Sequence, residues 1–272
     1  MKITYEDHMG DDLKVVNMAR VSFSKKSECI KITDGYIQRK SFDISHGEET
    51  WEEPIYKKTL MEKDKKLIEF LARGCTSGDW EQLRTDIQTR KFFTEGDIDS
   101  LIYSIKNMPT HWTPFAHCQT TLHVKVPIFV SRQLDKHQVG FVKSEVSRRY
   151  VDSEPEYFVP DVWRKRAADK KQGSEGEITN MHTKMLPTWH EDASQYYNFL
   201  LRSGVAPEQA RMVLPQSMYT EYFMTGSLYG WANLFNQRSR PDAQKEIQEV
   251  ARQISNIMER LYPISWEALT RE

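Results

Sequence analysis

The sequence predicts a mixed α and β chain, and three stretches carry that expectation. Val124–Val130 (VKVPIFV) is the most strand-like segment of the 272 residues, a short run rich in β-branched side chains. Asp64–Gly74 (DKKLIEFLARG) reads as an amphipathic helix, with Leu67, Ile68, Phe70 and Leu71 on its apolar face and Gly74 to end it. Thr179–Leu201 reads as a long helix carrying Met181, Met185, Leu186, Trp189, Tyr196 and Leu200, with Pro187 as the place for a kink. The length accommodates one large domain or two small ones.

Composition narrows the class. Charged residues make up 28% of the chain and the formal net charge is −1, so any basic patch is local. A general nucleic-acid binder is usually more basic overall. No run of about 18 apolar residues occurs, so no membrane span is expected. The opening MKITYEDHMGDD has no apolar signal region. Cys29, Cys75 and Cys118 lie far apart without a C-x-x-C, which fits a reducing, cytoplasmic setting and no disulfide framework.

In order along the chain, Lys2–Tyr5 is strand-like. Asp11-Asp12 then caps a helix bearing Leu13, Val16 and Met18, which runs into Ala19-Arg20-Val21-Ser22-Phe23. Residues 27–63 alternate at Ile30, Ile32, Tyr36 and Ile37 around Asp34-Gly35, a hairpin signal. Helical pattern recurs at Trp80–Arg90 and Asp97–Lys106. Pro114 predicts extended backbone before it, and Gln119–Val130 continues as strand. His111, His117, His123 and Cys118 invite a metal reading, but adjacent His117 and Cys118 would point to opposite faces of a strand, so no metal is expected. His123 reads as an ordinary sheet-face histidine. Tyr157–Pro160 reads as the close of a strand, residues 161–178 as an exposed mobile segment, and a final helix runs to about Leu261.

Ser131–Tyr150 (SRQLDKHQVGFVKSEVSRRY) draws the most chemical interest. It holds Arg132, Lys136, His137, Lys143, Arg148 and Arg149 against Asp135 and Glu145, interleaved with Ser131, Gln133, Gln138, Ser144 and Ser147. A strand that delivers the chain into positive charge and hydroxyls suggests a phosphate pocket. A solvated basic loop is the alternative that this stretch leaves open.

Several ordered blocks resemble the flavin-dependent thymidylate synthases. Arg132-Gln133, Lys136-His137-Gln138 and Ser144-Glu145-Val146-Ser147-Arg148-Arg149-Tyr150 are similar to that family's R-H-R, seven residues, then Ser signature, which ends N-E-x-S-x-R-Y. Here Lys136 and Gln138 stand at the two arginines, eight residues separate Gln138 from Ser147, and Ser144 replaces Asn. Ala19–Phe23 resembles the family's A-R-V-S-F, and His111–His117 its H-x-T-P-F-x-H. Gly204–Pro215 (GVAPEQARMVLP) resembles G-V-x-x-x-x-A-R-x-V-L-P. Tyr219–Thr225, Asn233–Arg238 and Ala243–Ile247 (A-Q-x-E-I) complete the set, with Ser227 and Tyr229 where the family has Asn and Arg.

The resemblance implies an α+β fold, a central sheet flanked by helices, forming a single domain over 1–272 with insertions at about 27–63 and 76–108. It implies a homotetramer with sites shared between subunits, Arg211 reaching a neighbour's. The implied reaction is reductive methylation of dUMP to dTMP, with methylenetetrahydrofolate as carbon donor and FAD reduced by NADPH. Arg238 would stabilise charge on the uracil ring; Ser147 positions substrate, and His111 lies by the flavin and folate. Gln133, Lys136, Ser147, Arg148, Arg149, Arg211 and Arg238 form the implied substrate set. Ser22, Thr113, Lys136, His137, Gln138, Glu145, Ser227, Tyr229 and Asn233 form the implied flavin set. Two rivals remain: a related flavin and folate enzyme making a different C5 modification, such as hydroxymethylation, and a flavin-free nucleotide-binding homologue. A basic nucleic-acid module would bind polynucleotide in a salt-sensitive way, which the near-neutral charge disfavours.

Overall fold

The structure, a computed structural model, describes residues 1–43, 47–75, 110–151, 153–168, 173–178 and 181–270, together with 79, 81, 82, 85, 89, 96 and 103. In chain order the elements are β1 (Lys2–Met9), α1 (Asp12–Arg20), β2 (Ile30–Asp43), β3 (Gly47–Thr59), α2 (Glu62–Arg73), α3 (Thr113–Ala116), β4 (Gln119–Pro127), α4 (Ile128–Leu134), β5 (Phe141–Glu145), β6 (Trp163–Arg166), β7 (Ser174–Ile178), α5 (Met181–Arg202), α6 (Pro207–Ala210), β8 (Tyr219–Ser227), α7 (Leu228–Arg238), α8 (Lys245–Leu261) and α9 (Pro263–Thr270).

The fold is α+β. Four antiparallel strands make the central sheet in the order β1-β4-β8-β5. Period-two alternation gives it one apolar face: Leu122, Val124 and Val126 of β4 and Tyr222 and Met224 of β8 are buried. Helices cover that face. In α8, Ile247, Val250, Ala251, Ile254 and Met258 recur at helical spacing and are all buried. Val15 and Val16 of α1, Ile68 and Leu71 of α2, Trp231 and Leu234 of α7 and Trp266 of α9 join the same core. Each large side chain so buried stabilises by about 1.5–3 kcal/mol. The Trp231 indole N–H donates to the Thr120 carbonyl at 3.1 Å, so the largest buried ring leaves no unmet donor.

Polar groups fasten the ends of the chain. Asp11 caps α1 by accepting from the Lys14 N–H at 2.8 Å. Asp12, buried, accepts from the Ile264 and Ser265 N–H groups at 3.0 and 2.9 Å and so caps α9 from the other end of the sequence. Fully buried Asp64 pairs with Arg20 at 2.6 Å and accepts from Ser27 at 2.9 Å, tying the turn after α1 to α2.

Phe141 fixes where the central basic stretch rejoins the sheet. Its ring meets Trp231 edge-on at 4.8 Å and lies over Gly226 and Gly230, where β-carbons would crowd it. Gly226→Ala is therefore expected to destabilise the fold by about 1–3 kcal/mol in urea unfolding. Adding Phe141→Leu should recover part of that loss, because the overlap is with the ring. A loss that Phe141→Leu leaves unrelieved would contradict this cause.

Several sequence expectations change. Val124–Val130 is not one strand: β4 ends at Pro127, which has no N–H to extend a ladder, and Ile128 opens α4. The apolar run continues because Val130 and Leu134 face the core, and a short apolar run does not separate strand from buried helix. Asp34-Gly35 is a bulge inside β2 rather than a turn. The register slips between Thr33 and Gly35, Gly35 takes φ +145°, and the ladder continues to Asp43 opposite Gly47. The chain before Pro114 is not extended, since Thr113–Ala116 is a helical turn with proline in its first positions, where the N–H has no intrahelical partner. His117 and Cys118 precede β4 rather than alternating along it; His117 is exposed and Cys118 buried. Tyr157–Pro160 makes a single bridge, Tyr157 to Met218, and Pro160 cannot donate to prolong it. Trp163–Arg166 and Ser174–Ile178 pair as the antiparallel strands β6 and β7, and Arg164 pairs with Glu246 at 2.8 Å, so these parts of the 161–178 stretch are not structureless. The helical pattern expected at 80–90 and 97–106 lies largely outside the described residues. Helix α9, after Leu261, was not foreseen.

Candidate functional site

A pocket of about 840 Å³ opens where β5 leaves the sheet and β8 enters it, and Glu145, Ser147, Arg148 and Arg211 line it. Arg211 arrives on the 3₁₀ turn after α6, and its Nε donates to the Glu208 carbonyl at 3.3 Å. Arg148 braces the following loop by donating to the Ser153 and Glu154 carbonyls. The Arg149 N–H donates to Ser147 Oγ at 3.3 Å, a local turn that fixes the serine. Arg149 itself is exposed, its guanidinium 5.0 Å from the Tyr150 ring.

Acidic residues share the pocket, but salt bridges engage three of them. Lys125 holds Glu156 at 2.6 Å and Glu221 at 3.1 Å, and those two bonds raise its pKa. Lys143 holds Glu145 and Asp135, each at 2.9 Å, and its ammonium sits 3.8 Å over the Tyr222 ring. Glu145 also accepts from Thr220 at 2.5 Å. Glu154 and Glu208 also line the pocket, outside those salt bridges, while Ser147 and Arg211 bring a hydroxyl and a guanidinium to the same cavity, a combination suited to a phosphate.

A second cluster forms where the C-terminal end of α7 meets α4. Arg238 Nε donates to His137 Nε2 at 2.9 Å, and its Nη2 donates to the Gln133 carbonyl at 3.1 Å. Accepting through Nε2 requires His137 to be neutral with its proton on Nδ1. Burial, together with the Arg238 charge, pulls His137 down to about 4. Two bonds fix the guanidinium plane, and among the described residues no acceptor reaches its Nη1. Lys136 and Gln138 flank His137 and are exposed. None of Gln133, His137 or Arg238 lines the first pocket.

The remaining residues singled out in the sequence lie apart from that pocket as well. Tyr229, near the start of α7, packs against Trp112 at 5.6 Å, with exposed Thr113 next to Trp112 and half-buried Asn233 one helical turn beyond Tyr229. Ser227 caps α7, its Oγ accepting from the Gly230 N–H at 3.1 Å. His111 stacks on Phe70 at 6.0 Å, and Ser22 is exposed on the 3₁₀ turn after α1. Sequence reasoning missed Arg164, Gln244 and Glu246, which bond to one another beside Gln133. The A-Q-x-E-I block was the available signal, since it places two polar side chains at a helix start facing the core.

The three thiols are poorly placed for nucleophilic work. Burial pushes Cys118 up to about 12, and its Sγ lies 3.6 Å from the Asp11 carbonyl. Burial also raises Cys29 and Cys75. The thiolate is the reactive form, so burial works against nucleophilic use of all three, most of all Cys118.

Comparison with known proteins shows the family. The family model described as thymidylate synthase complementing protein matches residues 57–264. A flavin-dependent thymidylate synthase of Thermus thermophilus is 38% identical over 159 residues, 58% of this chain and 58% of the relative's length. One from Pseudothermotoga lettingae is 25% identical over 265 residues, 97% of this chain and 88% of the relative. The crystal structure of a UMP/dUMP methylase, PolB from Streptomyces cacaoi, bound with 5-Br dUMP, superposes with a TM-score of 0.66 at 25% identity, covering 99% of this chain and 94% of that one. With more than half of its residues inside the family model and the sheet and helices of such a neighbour, the chain belongs to the flavin-dependent thymidylate synthase family.

Proposed function

We propose that this protein is a thymidylate synthase that converts dUMP to dTMP, with methylenetetrahydrofolate as carbon donor, FAD as cofactor and NADPH as reductant. The observation that carries the proposal is the pocket in which Ser147 and Arg211 face one cavity beside the Arg148 brace. A nucleotide phosphate there receives charge-assisted bonds, each worth about 1.5–3 kcal/mol. Arg149, exposed and next to Arg148 in sequence, is the further cation of the substrate set. Burial of Cys118, which disfavours its thiolate, favours a route without cysteine addition to the uracil ring.

The base then lies by Arg238 of another copy. Each chain carries the phosphate pocket and the Arg238 cluster as separate half-sites, which supports a homotetramer with shared sites. Arg211 lines the same pocket as Ser147 of its own chain, so on this reading the two cooperate on one phosphate. Arg238, held by His137 and by the Gln133 carbonyl, points its Nη1 donors at a ring oxygen and stabilises charge that develops there. Ser147 positions the phosphate and is not read as a nucleophile, because among the described residues no base adjoins its hydroxyl.

The residues present fit a flavin. Trp112 and Tyr229, their rings tilted by 32°, give a partly exposed aromatic wall, and Thr113 and Asn233 give polar groups beside it. Ser227 and Tyr229 serve through the helix cap and the ring rather than as the family's Asn and Arg. His111 adjoins this wall through Trp112, while Lys136, His137, Gln138, Glu145 and Ser22 reach the cofactor from elsewhere in the assembly. Bound FAD supplies the hydride that the one-carbon unit needs to become a methyl group, with NADPH as its source of electrons. We read residues 1–272 as a single domain and the protein as cytoplasmic; among the described residues no helix is long and apolar enough to cross a membrane.

Titration of the purified protein with FAD tests the cofactor assignment. A perturbed flavin spectrum that saturates is expected. An unperturbed spectrum at excess FAD would favour the flavin-free nucleotide-binding homologue.

A further inference from the structure

Gln133 stands at the end of a chain of side-chain bonds with a fixed direction. Arg164 Nη2 donates to both Glu246 oxygens at 2.8 Å. Glu246 Oε2 also accepts from Gln244 Nε2 at 2.8 Å, and Gln244 Oε1 accepts from Gln133 Nε2 at 2.6 Å. An ionised carboxylate only accepts. Gln244 must therefore turn its NH₂ toward Glu246 and its oxygen toward Gln133. Gln133 must in turn give its NH₂ to Gln244, which leaves its own oxygen pointing away. Among the described residues no donor reaches that oxygen. Burial raises the Glu246 carboxyl, but its bonds to Arg164 and Gln244 outweigh this and hold it below its ordinary value, so the anchor stays ionised.

The free oxygen lies on the residue whose carbonyl holds Arg238. Together they offer a donor, Arg238 Nη1, and an acceptor, Gln133 Oε1. Uracil presents the complement on adjacent atoms: a carbonyl oxygen and the N3–H. Cytosine has an unprotonated N3, which mismatches the Gln133 contact whichever carbonyl Arg238 meets, and at C4 it has an amino group in place of the oxygen.

We propose that Arg164, Glu246 and Gln244 are positioning residues that orient the Gln133 amide as an acceptor, so that the site selects pyrimidine nucleotides bearing an N3–H over cytidine nucleotides. The assignment rests on the nucleotide-binding reading of Gln133 and Arg238. It also gives the β6–β7 hairpin a function, since Arg164 lies on β6 and its Nε donates to Ser174 of β7 at 2.7 Å.

The test is the ratio of dUMP to dCMP affinity, measured by calorimetry on the full-length protein. Arg164→Met/Glu246→Met removes the anchor without leaving one charge buried and unpaired. Gln244 and Gln133 can then rotate, and the ratio should fall about tenfold, with dCMP gaining as dUMP loses. A general loss of structure would weaken both nucleotides and leave the ratio alone. Gln133→Met provides a second route, because it removes the amide while keeping the ion pair. It should lower the ratio similarly, and adding the anchor substitutions should lower it no further. An unchanged ratio in either variant, with dUMP still bound, overturns the relay alone. No dUMP binding by the wild-type protein overturns the nucleotide reading as well.

Discussion

Arg238→Ala is expected to lower turnover about 100- to 1,000-fold, the loss typical of one preorganised donor aimed at developing charge. Nucleotide affinity should fall much less, because the phosphate is held in the other half-site. Arg238→Lys should rescue little. Lysine keeps the charge but cannot bond His137 and the Gln133 carbonyl through one plane while presenting a further donor. Single-turnover kinetics at saturating dUMP separate the chemical step from binding. A large loss of affinity with unchanged turnover would place Arg238 in binding alone.

The His137 partner adds a pH signature. Its folded pKa of about 4 lies below the ordinary 6.5, so between those values the unfolded chain binds more protons than the folded one. Its contribution to stability is present above pH 6.5 and is lost as pH falls through about 4. Discounted for the water that reaches the half-buried ring, it is on the order of 1–2 kcal/mol. Urea unfolding across that range should show the decline, and His137→Gln should flatten it.

Arg211→Ala is the second large effect. Losing one charge-assisted phosphate contact should weaken dUMP binding about 10- to 100-fold. Deoxyuridine, which has no phosphate, should bind the variant and the wild-type protein alike. Equal losses for both ligands would mean that Arg211 supports the pocket rather than touching phosphate. Raised salt should narrow the difference between the proteins, since the pocket is open to solvent.

The parts of this molecule that were legible in sequence are those written locally. The 3.6-residue spacing of Ile247, Val250, Ile254 and Met258 defines α8, and Asp11 announces α1. The blocks around Ser147, Arg211 and Arg238 indicated the family because their residue types recur in a fixed order. Non-local arrangements were not legible. Gln133 and Gln244 are 111 positions apart, and Arg164 and Glu246 are 82 apart, so no window of sequence shows that their side chains meet. Pro127 divides one apolar run into strand and helix, and only burial of Val130 and Leu134 distinguishes the halves. Asp34-Gly35 carries a turn signal that the long β2–β3 ladder absorbs as a bulge. The strand pairing within the charged, largely exposed 161–178 stretch was not legible, because the ion pair that anchors it lies with Glu246, far along the chain.

Product analysis tests the central claim most directly. The protein, loaded with FAD, is mixed anaerobically with NADPH, dUMP and methylenetetrahydrofolate, and the nucleotides are separated by chromatography and mass. The predicted result is dTMP, with loss of the reduced-flavin spectrum only when both substrates are present. A 5-hydroxymethyl nucleotide would assign a different C5 modification to the same site. Unconsumed dUMP with fully reduced flavin would contradict the proposed reaction.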